Sequence, residues 1–299
     1  LRSSPQQGVP LARQARLYIF HEHAGVLSME RRLPQPDQDR LSVITALVLL
    51  AYILPRVVVL PTVGLDLNLL GLAVRLELNT LVVMLALAGG LAAAGADWLV
   101  RAHPYQPSDR STRSHWIVPS LATLGAGAVL ARIPEGLAWW LGLALSAALL
   151  LAVLVTEYVV HDENDLRYDG AAIGLTALCY LLVAGAFFTI RAVGLRAALA
   201  IPLVSLVSAA VAWRLLLLQQ PRALAVVYSL LIGLMVAEVA WGLHYWRLTP
   251  IRNALILGLA VYILTGLALS HIRGGIDRAA RLEFGAVATL GLLAIALLS

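Results

Sequence analysis

The residue types most able to do chemistry lie in one charged stretch, TEYVVHDENDLRYDG, which interrupts a chain that is apolar for most of its length. Glu157 and His161 are four residues apart, so they share one face of a helix and could supply two ligands to a metal ion. Zinc and di-iron centres require three or four ligands, and the turn that follows lacks the ligand pattern of an EF-hand. The stretch is therefore interpreted as a solvated turn, and no metal ion is predicted.

Charged residues within apolar segments are more informative, because each costs about 2.5–3.5 kcal/mol at the centre of a bilayer and usually needs a partner. Asp97, Glu157 and Arg214 all lie within about two helical turns of the same predicted end of their segments. An arginine can bind two carboxylates through its planar fork of donors. The sequence thus predicts an intramembrane polar cluster of Asp97, Glu157, His161 and Arg214. The alternative is that each side chain extends separately to the lipid headgroups.

A second polar pair is predicted on the other side of the membrane from the first cluster. Glu238 lies about 24 Å along its segment by helical rise, with His244 close by and Trp241 and Tyr245 on the same face as Glu238. A glutamate and a histidine that face a water-filled cavity could relay protons. The alternative is a single satisfied polar contact between two helices.

Familiar enzyme motifs do not occur in the sequence. It lacks G-x-S-x-G, H-E-x-x-H, a Walker-type glycine loop and a dinucleotide-binding fingerprint. We therefore predict no catalytic residue and no cofactor.

The composition determines the class of protein that must position these residues. The chain is 60% hydrophobic and only 13% charged, whereas soluble domains are about 25% charged. A single cysteine, Cys179, excludes an internal disulfide framework. The 22 basic residues are all arginines that lie mainly beside apolar segments, which indicates membrane orientation and no nucleic-acid partner. The predicted partners are the lipid bilayer and other membrane proteins.

Segments long enough to cross a membrane occupy most of the chain, since about 20 apolar residues span the hydrocarbon core. The sequence predicts an all-α polytopic transmembrane helix bundle of eight or nine spans, which form a single domain over residues 41–299. The semi-polar segment from Pro61 to Asn79 is expected to lie in the membrane interface or to form a loop. The nine candidate spans are 41–60, 79–100, 116–133, 137–160, 170–190, 197–218, 223–246, 252–272 and 280–299.

The distribution of arginines predicts the orientation of these spans. With nine spans, 15 of the 22 arginines fall on the side of the N-terminus and seven on the other side. Because arginine and lysine concentrate on the cytoplasmic side, a cytoplasmic N-terminus is predicted. The seven tryptophans fall at the ends of spans and are interpreted as interfacial anchors.

The first 40 residues form a polar N-terminal tail without a secretory signal. Met29 precedes a charged segment and then the first span, so Met29 is predicted to be the native start. Residues 1–28 would then be an upstream extension or a loosely held tail. The alternative is an amphipathic surface helix around LARQARLYIF.

Two segments carry a resemblance to a known family. They are LLAVLVTEYVVHDENDLRYDG with the CYLLVAGAF span that follows it, and the C-terminal RNALILGLAVYILTGLALSHIRGGIDRAARLEFGAVA. From about His115 onward the chain resembles an uncharacterised bacterial family of multi-pass membrane proteins, a domain of unknown function. The resemblance implies the architecture and a bacterial cytoplasmic membrane, and it supplies no catalytic residues.

Three functions remain open. The first is a non-catalytic membrane scaffold or subunit of a complex, because each polar residue has an adequate structural interpretation. The second is a small-solute or proton-coupled transporter, which Glu238, His244 and the intramembrane carboxylates suggest. The third is a lipid-modifying membrane enzyme, which His161 and the acidic turn suggest.

Overall fold

The computed structural model describes residues 34–69, 72–104, 112–219 and 222–297. These residues form nine α-helices, one 3₁₀-helix and one β-hairpin, and the predicted all-α bundle is confirmed. In chain order the elements are α1 (Gln38–Val57), β1 (Val63–Leu69), β2 (Leu72–Leu78), α2 (Thr80–Val100), the 3₁₀-helix (Thr112–Trp116), α3 (Ile117–Leu130), α4 (Leu137–Val159), α5 (Tyr168–Val193), α6 (Ala197–Leu217), α7 (Arg222–His244), α8 (Pro250–Ile272) and α9 (Arg278–Leu297).

Eight of the described helices are long and apolar enough to cross a membrane, and α3 is the exception. All nine helices match the predicted spans to within three residues at each end. The agreement follows from composition, since a helix that faces lipid must be apolar over about 20 residues and ends where polar residues return.

The short helix α3 still runs through the bundle between α2 and α4. The Ser120 hydroxyl donates to the Gly89 carbonyl at 3.1 Å, and Gly127 lies against Leu85, so α3 is antiparallel to α2. The tight turn after α3 uses Gly136 at φ 147°, a backbone conformation that glycine adopts without strain. The 3₁₀-helix and α3 lie alongside α4, since His115 contacts Glu157 near the end of α4 and a β-carbon added at Gly142 near its start would lie 3.0 Å from Leu130 of α3.

A two-stranded antiparallel hairpin occupies the semi-polar segment between α1 and α2. Its register pairs Val63 with Leu78 and Leu69 with Leu72. We did not predict these strands, although the sequence carries their signal. In VGLDLNL and LAVRLEL, large apolar residues alternate with small or polar ones at the two-residue period of a strand.

Close helix packing depends on particular small residues. A β-carbon added at Gly95 would lie 2.5 Å from Ile44 in α1, and one at Gly127 would clash with Leu85 in α2. These glycines belong to two runs of small residues, Ala88–Ala96 and Gly125–Ala128. At Gly90 and Gly125 in the same runs, nothing in the described structure lies within 4 Å of an added β-carbon. Small residues let helix backbones approach closely in lipid. Close approach therefore occurs at Gly95 and Gly127 and does not extend to every glycine of these runs.

The beginning of the chain differs in part from expectation. The first helix starts at Gln38, inside the predicted tail of residues 1–40, because the Asp37 carboxylate accepts from the Asp39 amide at 3.0 Å and caps the helix. The expectations for residues 1–28, including Met29 as the start, lie outside the described residues. Trp139, predicted to be an anchor at the end of a span, lies in the first turn of α4 and is buried against the protein, with the Arg56 guanidinium 5.5 Å above its ring.

Candidate functional site

A buried ion pair joins the ends of α4 and α6. Arg214 Nε donates to Glu157 Oε1 at 3.1 Å, and Arg214 Nη2 donates to Glu157 Oε2 at 2.5 Å. Glu157 is 0% exposed and Arg214 is 3% exposed. Both donors of the planar guanidinium fork are satisfied by one carboxylate, which is the strongest geometry for this pair.

A histidine from the 3₁₀-helix completes the contacts of this carboxylate. His115 Nδ1 lies 2.7 Å from Glu157 Oε2, and His161 Nδ1 lies 3.4 Å from His115 Nε2. His115 was not predicted as a site residue. Its signal was present, because His115 immediately precedes the predicted third span and so lies at the same expected depth as Glu157. The predicted His161 therefore reaches the pair through His115.

The His103 ring extends the line of imidazoles formed by His115 and His161 through two aromatic contacts. The ring centroid of His103 lies 4.6 Å from that of Tyr158 and 5.4 Å from that of His161. His103 is buried, and burial lowers the pKa of its imidazole below the usual value, while the charges of Asp162 and Asp165 oppose part of this shift. The neutral form of His103 is therefore favoured.

The acidic turn is solvated only in part. Glu163 and Asn164 are exposed, as a wet turn requires. Asp165 is buried and forms a bidentate pair with Arg167, with Arg167 Nε 3.1 Å from Oδ1 and Nη2 2.8 Å from Oδ2. These hydrogen bonds hold the pKa of Asp165 below its usual value. The interpretation of the whole stretch as solvated is therefore wrong at Asp165, because Arg167 offsets the cost of its burial.

Asp97 has its own set of partners on and beside α2. Its carboxylate pairs with Arg101 Nε at 2.8 Å, accepts from Trp116 Nε1 at 3.1 Å and accepts a hydrogen bond from the Thr112 hydroxyl. Arg214 binds Glu157, whereas the partners of Asp97 are Arg101, directly after α2, and two residues of the 3₁₀-helix. The structure thus brings Glu157, His161 and Arg214 into one cluster and gives Asp97 separate contacts.

Glu238 and His244 lie on different faces of α7. Glu238 is exposed, whereas His244 is half-buried and lines a cavity of about 320 Å³ among α5, α6, α7 and α8. Glu238 is not part of the lining of this cavity. The structure therefore does not bring these two residues together.

The chemistry of the buried cluster follows from its members. A neutral imidazole carries one donor and one acceptor nitrogen. A line of hydrogen bonds can therefore run from His161 through His115 to Glu157. Within the described residues, no group of three or more histidine, cysteine, aspartate or glutamate side chains has the geometry to hold a metal ion. What the cluster does in this geometry is join α4, α6 and the 3₁₀-helix through buried polar contacts.

The fold and this buried polar cluster define a multi-pass membrane protein. The model of the family described as "Protein of unknown function (DUF5656)" matches residues 60–298, and the chain belongs to that family. The match begins well before His115 and therefore includes the hairpin and α2 as well as the segments that carried the resemblance. No match was found among curated proteins or among solved structures.

Proposed function

We propose that this protein is a non-catalytic subunit of a membrane protein complex and that α7 is the helix that docks against its partner. The observation that carries this proposal is Glu238, a carboxylate on the outward face of a membrane helix. The exposed residues on the same face as Glu238 are spaced like residues through which two helices pack.

The two faces of α7 are clearly separated. The face that packs on the bundle consists of buried residues: Ala225, Ser229, Ile232, Val236, Ala240 and Leu243. At 100° per residue, Glu238 lies on the opposite face. Exposed residues above and below Glu238 follow at alternating steps of four and three, the spacing by which helices pack side by side: Val227, Leu231, Leu234, Trp241 and Tyr245.

Lipid alone is a poor environment for this carboxylate. Glu238 is six residues from the end of α7 at His244, about 9 Å inside by helical rise. A charge exposed to hydrocarbon is costly, so charged residues in membrane helices normally face protein or water and pair with one another. Glu238 is also the only acidic residue between residues 170 and 276. A partner helix that covers the face would remove the exposure.

The charge of Glu238 indicates what kind of partner fits. A second copy placed symmetrically against α7 would set two glutamates side by side, and their repulsion opposes such a contact. Arg191, a nearby arginine of the bundle, already donates to the carbonyls of His244 and Trp246 at 3.3 and 2.8 Å. We therefore infer that the occupant is a transmembrane helix of another polypeptide that presents an arginine or lysine opposite Glu238.

Photo-crosslinking in cells that express the full chain natively tests this docking face. A benzoylphenylalanine at Leu234, beside Glu238, is expected to form an adduct with another membrane protein. The same probe at Leu145, an exposed residue of α4 that is 70% accessible, is the matched control and should form none. Glu238→Leu should abolish the adduct at Leu234, because the partner's basic residue would then face an apolar side chain.

Four results would contradict the proposal. An adduct of twice the chain's mass would assign the face to a second copy. Adducts with lipid alone would leave α7 as an ordinary lipid-facing helix. An adduct that persists unchanged in Glu238→Leu, or one whose partner peptide carries no arginine or lysine in a membrane span, would remove the role of the charge.

For the orientation, we propose a cytoplasmic N-terminus in the cytoplasmic membrane of a bacterial cell. The excess of arginines on the side of the N-terminus supports this orientation. With nine passes, the turn that holds Asn164 is then cytoplasmic and the loop that holds Arg247 is external.

Labelling of single cysteines tests the orientation. In a Cys179→Ala background, a membrane-impermeant maleimide added to intact cells should label Arg247→Cys and fail to label Asn164→Cys; both positions are exposed. Permeabilised cells should show labelling at both positions, which confirms that each site is reactive. External labelling of Asn164→Cys would reverse the proposed orientation.

A further inference from the structure

The cavity that His244 lines lies at the end of the bundle opposite the Glu157–Arg214 pair. It has a volume of about 320 Å³ and is bounded by the end of α5, the start of α6, the end of α7 and the start of α8. We propose that this cavity is a binding site for a phosphate ester, either the headgroup of an anionic phospholipid or a free organic phosphate. The inference does not depend on the outward face of α7.

The positive charges at this cavity have no ion-pair partner within the described residues, since Glu238, two residues before the cavity-lining Ala240, is exposed on the outward face of α7. Arg191 and Arg196 line it, and neither of the two connecting segments around it, from residue 189 to 200 and from 240 to 256, contains an aspartate or glutamate. Arg191 donates to two backbone carbonyls, so it contributes charge and a fixed position. Arg196 is exposed, and its side chain makes no hydrogen bond or ion pair with the described residues. Arg196 is therefore available to bind an anion.

Asn253 is a second and independent sign of a ligand. Its side chain lines the cavity although the residue is only 7% exposed, and it makes no hydrogen bond within the described part of the chain. Because no described residue pairs with this side chain, its amide donor and acceptor face the open cavity and are available to a ligand. A phosphate oxygen in the cavity would accept from the Asn253 amide and supply a partner.

Backbone groups add to the same preference. Helix α6 begins at this cavity and has no side-chain cap at its N-terminus, whereas Thr249 caps α8 by accepting from the Arg252 amide. The first amides of a helix point outward without partners and carry a partial positive charge that favours anions. The uncapped N-terminus of α6, the Arg196 guanidinium and the Asn253 amide offer more donors than a carboxylate needs, which favours a phosphate group.

The inner wall of the cavity indicates what is attached to the phosphate. Ile201, Val204 and Leu257 line the side towards the middle of the membrane, and all are apolar. A cavity of about 320 Å³ also exceeds the volume of an inorganic phosphate and approaches that of small-molecule sites. A phosphate ester fits both parts of the cavity. Its phosphate would lie at Arg196 and Asn253, and its organic part would face these apolar residues.

Binding to the purified full-length protein tests the site with two probes. Glycerol 3-phosphate, titrated into the protein in detergent, represents the free ester. Phosphatidylglycerol in nanodiscs, compared with zwitterionic phosphatidylcholine, represents the lipid, with bound lipid counted by native mass spectrometry. We expect one saturable site for at least one probe. Arg196→Gln and Asn253→Leu should each weaken binding about tenfold, the effect of one hydrogen bond to a charged group.

Arg247→Gln is the matched control, because Arg247 is exposed at the same end of the bundle but does not line the cavity. It should change affinity less than twofold. Binding of glycerol 3-phosphate alone would assign a free ester, and selective binding of phosphatidylglycerol, with or without glycerol 3-phosphate, would assign a lipid headgroup. The proposal fails if neither probe shows a saturable site. It also fails if Arg247→Gln weakens binding as much as the two site variants, since general charge attraction would then explain the result.

Discussion

Arg214→Ala is expected to lower the free energy of unfolding in detergent by about 3 kcal/mol. Removing one member of a buried ion pair typically costs about 3–5 kcal/mol, because the other charge is left without compensation. Here Glu157 keeps one contact, with His115 at 2.7 Å, which places the expected loss at the lower end. A thermal-stability assay on the detergent-solubilised protein measures the effect. Arg278→Ala removes an exposed arginine and should stay within about 0.5 kcal/mol of the wild type.

A double substitution separates loss of the ion pair from general damage. Glu157→Gln with Arg214→Met removes both charges, so it should recover part of the stability that Arg214→Ala loses. Residues in direct contact show coupling energies of about 0.5–3 kcal/mol in such cycles. If the double variant is as unstable as the sum of its single substitutions, Glu157 and Arg214 act independently. The pair would then not be what joins α4 to α6.

The membrane helices could be predicted from the sequence, whereas most of the polar contacts could not. Hydrocarbon solvent imposes one rule on every lipid-facing residue, so apolar length closely located all of the helices except the short α3, which the tight turn after it helped to define. The depth of Glu157 and Arg214 along their helices also followed from helical rise. Which side chains meet depends on how the helices rotate and on the path of the connecting segments, and neither has a local signal.

His115 and Asp165 illustrate that limit. His115 reaches Glu157 only because the 3₁₀-helix folds back beside the end of α4. Asp165 is buried because Arg167, two residues away, turns back to bind it. The hairpin was missed for a different reason. Its strand-like alternation lies in a semi-polar segment that a position in the membrane interface also explains, so the period of two does not by itself single out strands.

Gly233→Ala is expected to destabilise the protein by about 2–3 kcal/mol, even though alanine is the better helix former. A β-carbon at Gly233 would lie 2.8 Å from both the Ser205 carbonyl oxygen and the Ala209 β-carbon of α6. The first of these atoms belongs to the backbone and the second is fixed to it, so neither can rotate away and α6 and α7 must move apart. Overpacking of this kind typically costs about 1–3 kcal/mol.

Gly242→Ala in the same helix is the matched control, because nothing in the described structure lies within 4 Å of a β-carbon at that exposed position. Replacing glycine by alanine inside a helix gains about 0.5–1 kcal/mol when no clash intervenes, so Gly242→Ala should be neutral or slightly stabilising. The melting temperatures of the two variants in detergent should therefore move in opposite directions. If Gly233→Ala melts at or above the wild type, the backbones of α6 and α7 are not in close contact at Ser205. The helix whose outward face we assign to a partner would then be held to the bundle by other contacts.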